Sequence, residues 1–143
     1  MIFWDTSAIV PLLTTQPASE RARTLLRGDG SIVVWWGTYV ESLSALRRLD
    51  REGHLSSGAF RTCNAILDEL ALAWTEVTAS TEVRVQAANM LATHPLRAAD
   101  ALQLGAALVW CGRPDGVAKF ATFDERLAEA AVAERFTVLG STE

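Results

Sequence analysis

The sequence predicts an α/β fold of three layers (α/β/α), with helices on both faces of a central, mainly parallel sheet of four to five strands. Two observations lead there. Short apolar runs rich in aromatic and β-branched residues recur along the chain, and segments of helical period separate them. Strands alternating with helices in this way pack as a parallel sheet covered on both sides. A third observation bears on function: the first strand and a later one each end in an acid that precedes a helix. With 143 residues, the chain is expected to be one domain, residues 1–143, of a size that buries roughly two-thirds of its unfolded surface.

The elements follow in order. Ile2-Phe3-Trp4 is a buried strand that runs directly into Asp5-Thr6-Ser7. Residues 8–13 form a short helix in which Pro11 is tolerable only near the first turn. Residues 19–27 place Ala22, Leu25 and Leu26 at helical spacing, and Gly28-Asp29-Gly30 stops them. The continuous β-branched and aromatic run 32–36 is a second buried strand. Val40, Leu43, Leu46 and Leu49 then mark one face of a helix over 38–53, and residues 56–73 return as its antiparallel partner. A short strand over 74–78 leads to a helix over 80–93, which His94-Pro95 breaks. Residues 97–110 are helical and apolar almost all round, which predicts an interior position. Strand 119–124 again ends in an acid, helix 125–135 follows it, and strand 136–139 closes the chain.

Composition excludes several classes. Hydrophobic residues make up 50% and charged residues 21%, which is globular and not disordered. A net charge of -4 argues against a surface built wholly to bind polyanions, while leaving room for a local nucleic-acid site. Cys63 and Cys111 lack zinc or redox spacing and are expected as buried thiols. The N-terminus has no basic leader before Asp5, and the apolar run 98–111 is too short to span a bilayer. A soluble cytoplasmic protein with no membrane partner is expected. His54 and His94 are expected as solvated turn residues, and no nucleotide-loop, serine-hydrolase or zinc-protease motif is present.

Four acids stand at strand ends or helix starts: Asp5, Glu41, Asp100 and Asp124. Each has a structural explanation. Asp5 and Asp124 suit helix N-caps, Thr38-Tyr39-Val40-Glu41 has the form of a capping box, and Asp100 favours the positive end of a helix dipole. Asp100 is the hardest to explain so, because Ala98, Ala99, Ala101, Leu102 and Leu104 surround it in sequence. A lone buried carboxylate is costly unless paired or coordinated, and Arg97 is its candidate ion-pair partner. Together the four change the reading, since strand C-termini and helix N-termini line one edge of a parallel sheet, where ligands bind. Clustered carboxylates repel unless a cation sits among them, and oxygen ligands without His or Cys suit Mg²⁺ or Mn²⁺. A metal-activated water attacking a phosphodiester is the natural chemistry of such a site.

The motifs Ile2-Phe3-Trp4-Asp5-Thr6-Ser7, Tyr39-Val40-Glu41-Ser42-Leu43, Arg97-Ala98-Ala99-Asp100-Ala101-Leu102-Gln103-Leu104 and Phe120-Ala121-Thr122-Phe123-Asp124-Glu125-Arg126-Leu127, in this order, resemble the PIN-domain nucleases. Among these they are most similar to the VapC-type toxins of bacterial toxin–antitoxin pairs. The resemblance implies a PIN-like fold and a Mg²⁺- or Mn²⁺-dependent endoribonuclease. Asp5 and Asp100 would be principal metal ligands, Glu41 and Asp124 would complete the acidic site, and Ser7 and Thr122 would support it. Many such toxins carry Asn where Asp124 stands, followed by an Asp-Phe pair; the later position here is Leu127, so Asp124 is either ligand or orienting group. The resemblance also implies an RNA substrate, a homodimer, and a small antitoxin lying over the active site and the helix pair 38–73. Arg47, Arg48, Arg51 and Arg61 of that pair would face RNA phosphates, an acidic antitoxin segment, or solvent alone. The alternatives are a PIN-like binding module without activity, and a nuclease of RNA processing or of structured DNA.

Overall fold

Strand alternation sets the layers. In the computed structural model, which describes residues 1–141, Ile2 and Trp4 of the first strand point to one face of the sheet and Phe3 points to the other. Thr142 and Glu143, the last two residues of the predicted domain, lie outside the described residues. The strands are β1 (Ile2–Trp4), β2 (Ile32–Trp35), β3 (Thr75–Val77), β4 (Lys119–Ala121) and β5 (Thr137–Leu139). They lie in the order β3-β2-β1-β4-β5, and every pair is parallel. The three-layer α/β/α arrangement and the strand number are as expected from the sequence.

Helices α1 (Thr6–Leu13), α2 (Ser19–Gly28), α3 (Thr38–Arg51) and α4 (Ser57–Ala73) join β1 to β2 and β2 to β3. Ile9, Leu46 and Leu67 of this set pack on Ile2, Trp4, Ile32, Val34 and Ala121. Helices α5 (Thr81–Thr93), α6 (Ala98–Cys111) and α7 (Glu125–Ala133) carry the chain back to β4 and on to β5. Leu104, Ala107 and Leu127 of this second set pack on Phe3, Val33 and Phe120. The chain thus winds outward from β1 in one direction, returns, and winds outward in the other. A right-handed crossover places its helix on opposite faces for the two directions, which is why the layers divide between α4 and α5.

Several local expectations change. The first helix begins at Thr6, two residues early, because Asp5 caps it; Pro11 therefore falls in its second turn. Val40, assigned from its spacing to the apolar face of α3, is exposed, and the buried face runs through Thr38, Ser42 and Leu46. Helix α6 is buried from Gln103 to Leu108, but its first turn is not interior: Ala98 and Ala99 are exposed and Asp100 is half-buried. Cys63 is buried as expected, Cys111 is only half-buried, and both are free thiols. His54 is exposed, whereas His94 is not a solvated turn residue: its Nε2 lies 2.8 Å from Glu134 Oε2, and its side chain is 12% exposed. Arg47 lies over the Phe60 ring, 4.1 Å from its centroid, so it is engaged within the helix pair. Among the described residues no helix is long and apolar enough to cross a membrane.

Candidate active site

In a doubly wound sheet the crevice opens where the winding direction reverses, between two strands whose following helices leave on opposite faces. Here those strands are β1 and β4. Asp5 follows β1, and its backbone N–H donates to the Ala121 carbonyl at the end of β4 (3.1 Å). Asp5 is 4% exposed. Its carboxylate caps α1, accepting from Ser7 N (3.2 Å) and from Ser7 Oγ (2.8 Å). Ser7 Oγ accepts from Phe123 N (2.9 Å) and lies 3.2 Å from Thr122 Oγ1. Ser7 has one hydroxyl proton and gives it to Asp5, so Thr122 is the donor across that contact. Thr122 Oγ1 accepts from Asp124 N (3.1 Å), and Asp124 caps α7 through Leu127 N (2.9 Å). The two acids are thus held by one chain of hydrogen bonds that ties together the loops after β1 and β4.

A second group adjoins the first. Glu41 Oε1 accepts from Thr6 Oγ1 (3.1 Å) and from Gln103 Nε2 (3.1 Å), and Oε2 lies 3.3 Å from the same nitrogen. Gln103 Nε2 also faces Thr6 Oγ1 and Thr38 Oγ1, both at 3.0 Å. The expected capping box is not formed. The N-cap of α3 is Gly37, with no side-chain cap, and Thr38 and Glu41 turn instead to α6. Gly37 is needed there, since a Cβ would stand 2.5 Å from the Trp35 ring nitrogen.

Asp100 lines an open cleft of about 590 Å³ together with Arg97, Phe123, Asp124 and Arg126. No ion pair joins it to Arg97: among the described residues the only carboxylate pairs within 4.0 Å are those of Asp29, Glu20 and Glu134. The Arg97 and Arg126 side chains act on Asp100 only as charges at longer range, and the Arg97 backbone acts on it by a hydrogen bond. Among the described residues no three of His, Cys, Asp and Glu are gathered tightly enough to close around one ion. The acids feel one another's charge in pairs, Asp5 with Asp124, Asp124 with Asp100, and Asp100 with Glu41.

The electrostatics follow from this placement. Burial pushes the Asp5 carboxyl from 3.8 up to about 7, against the lowering effect of the hydrogen bonds from Ser7 and of the Thr122 hydroxyl that stands behind Ser7, and the charge on Asp124 adds to the rise. Burial also raises Glu41, with Gln103 and Thr6 opposing it and Asp100 reinforcing it. Asp100 is raised by burial and then by Asp124, and lowered by the Arg97 backbone and the charges of Arg97 and Arg126. Three neighbouring carboxyls that all resist ionisation make a site that gains by taking up a cation. Every candidate donor is a carboxylate or hydroxyl oxygen, the set that Mg²⁺ and Mn²⁺ prefer, and these ions use one or two direct carboxylates and keep waters.

Thr6, Thr38 and Gln103 were not singled out from the sequence. The available signal was Gln103, an amide three residues after Asp100 in an otherwise apolar helix, where a buried polar group requires a partner.

Comparison with known proteins agrees with the geometry. The family model described as PIN domain matches residues 2–133. The relative named Ribonuclease VapC45, from Mycobacterium tuberculosis strain CDC 1551 / Oshkosh, is 30% identical over 127 residues, covering 89% of this chain and 86% of that protein. Ribonuclease VapC49 of strain H37Rv matches with the same identity and coverage. Among solved structures, M. tuberculosis VapC20, a sarcin-ricin loop cleaving toxin, superposes with a TM-score of 0.67 at 19% identity, over 91% of this chain and 95% of that one. FitAcB of Neisseria gonorrhoeae gives 0.69 at 18%, over 97% and 96%. A toxin-antitoxin complex from Klebsiella pneumoniae gives 0.66 at 12%, over 90% and 91%. With the family model matching nearly the whole chain and VapC relatives matching most of it, the chain belongs to the PIN-domain family.

Proposed function

We propose that the protein is a Mg²⁺- or Mn²⁺-dependent endoribonuclease acting as the toxin of a toxin–antitoxin pair. The observation that carries this reading is the convergence of Asp5, Glu41, Asp100 and Asp124 on the switch-point edge, in a PIN-domain chain whose relatives are named ribonucleases. Asp5 and Asp100 would hold the cation, with Glu41 and Asp124 completing the site. When bound, the cation neutralises charge on a scissile phosphate and acidifies a water. The residues of the chain do the rest. Ser7 and Thr122 fix the direction of the Asp5 carboxylate, and Gln103 and Thr6 fix that of Glu41. Glu41, with its raised proton affinity, is suited to accept a proton from an attacking water. Arg97 and Arg126, on the rim of the cleft, are placed to meet flanking phosphates.

The partners belong to the same proposal: RNA as substrate, a second copy of the chain, and a small antitoxin over the active site and the α3–α4 pair, in a cytoplasmic setting. Exposed Trp36 and Val40 beside the acidic edge leave apolar surface for a protein contact. Asp5→Asn or Asp100→Asn should abolish RNA cleavage and growth arrest on expression while the protein still folds. Full activity in either variant refutes the site, and no binding of Mg²⁺ or Mn²⁺ at millimolar concentration by calorimetry favours a non-catalytic binding module.

A further inference from the structure

Gln103 is buried to 1% exposure on α6, three residues after Asp100, so the two side chains lie on neighbouring parts of one helix face. Its Nε2 carries two N–H groups and faces four oxygens at 3.0 to 3.3 Å, two of them the Glu41 carboxylate oxygens and the others the hydroxyls of Thr6 and Thr38. The orientation of the amide is fixed by these neighbours. Turned over, it would set a carbonyl oxygen against both oxygens of the carboxylate. As placed, its Oε1 is buried and has no hydrogen-bond partner. A side chain selected for the core alone would not carry that orphan acceptor, since Leu or Met fills a similar space without it. Glu41 stands in a first helical turn that has no side-chain cap, so nothing on its own helix directs it inward. We propose that Gln103 is a positioning residue that clamps the Glu41 carboxylate into the site and ties it to Thr6 and Thr38.

This inference rests on the metal-site reading above. The test is Mn²⁺ titration by calorimetry of wild type, Gln103→Met, Glu41→Ala and the double variant, with folding checked by urea denaturation. Gln103→Met should weaken Mn²⁺ binding about 10–100-fold in the wild-type background, the usual effect of removing a group that orients a ligand. In the Glu41→Ala background the same change should cost less than about 2-fold, because the group it directs is gone. Equal losses in the two backgrounds would mark Gln103 as merely structural and overturn the inference, as would no loss in the wild type. If Gln103→Met does not fold, Gln103→Leu fills a similar space, removes the N–H donors without adding a charge, and is read in the same way. No Mn²⁺ binding by the wild type overturns the metal-site reading and this inference with it. Mn²⁺ binding by the wild type that Gln103 variants leave unchanged overturns the inference alone.

Discussion

Replacing Asp5 by Asn removes a charge while leaving the helix cap in place, because Asn and Asp cap equally well: the one amide oxygen accepts from Ser7 N, and N–H₂ replaces the oxygen that accepted from Ser7 Oγ. The folded carboxyl titrates at about 7 against 3.8 when unfolded. Between those values the folded chain holds a proton that the unfolded chain has lost. The contribution of this group to stability is therefore fully present below pH 4, falls as the pH rises, and is gone above about 7. At 1.36 kcal/mol for each tenfold change, the cost at pH 8 is about 4 kcal/mol. The new amide N–H₂, buried without an acceptor, costs about 1–3 kcal/mol of its own. Asp5→Asn should thus be more stable than the wild type at pH 8 by about 1–3 kcal/mol, and the difference should vanish or reverse at pH 4. Urea denaturation between pH 4 and 8.5 measures it. Saturating Mg²⁺ or Mn²⁺ should then stabilise the wild type at pH 8, by about 2.7 kcal/mol at one hundred times the dissociation constant, and leave the variant nearly unmoved. An Asn variant destabilised equally at every pH refutes the argument, for Asp5 would then be an ordinary cap.

Three further outcomes are expected. Ser7→Ala removes the donor to Asp5 and the acceptor for Phe123 N, and should lower RNA cleavage about 10–100-fold; a cleavage assay on a labelled oligonucleotide with an unchanged rate contradicts the role of Ser7. Gly105→Ala places a Cβ 2.8 Å from the Ala87 backbone nitrogen where α5 and α6 meet. Backbone cannot step aside as a side chain can, so overpacking of about 1–3 kcal/mol should outweigh the helix propensity gained, and a higher urea midpoint would show that the helices separate freely. His94→Ala should lose about 1 kcal/mol through its bond to Glu134, without altering RNA cleavage; a loss of cleavage would assign His94 to the site after all.

How much of this was legible depends on the distance over which each feature is set. The strands and helices are local, and period and punctuation locate them. Asp5 and Asp124 were read both as caps and as edge carboxylates, and each holds both positions, since a strand end in a parallel sheet is also a helix start. The capping box that Thr-x-x-Glu suggests for Glu41 fails because that pattern is local, whereas the partner Glu41 takes, Gln103, is 62 residues away. The same distance effect hid the His94–Glu134 pair, 40 residues apart, and the strand order, which depends on pairings that no short window contains. Val40 has apolar character but lies on the turn of α3 that faces solvent beside the acids. Asp100 was expected amid apolar neighbours, yet a helix that enters the interior must first cross the surface, and the crossing turn is where the carboxylate stands.

The place of β1 between β2 and β4 also fixes when the acidic edge can exist during synthesis. Asp5 and Ser7 leave the ribosome well before Thr122, which completes their hydrogen-bond chain and stands 115 residues after Ser7. A nascent chain with β1, β2 and β3 in place still has one side of β1 open and neither Asp124 nor the loop that carries it. The ordering cost of closing so long a loop is met only when β4 pairs with β1. The edge is therefore withheld from the growing chain until β4 has been made.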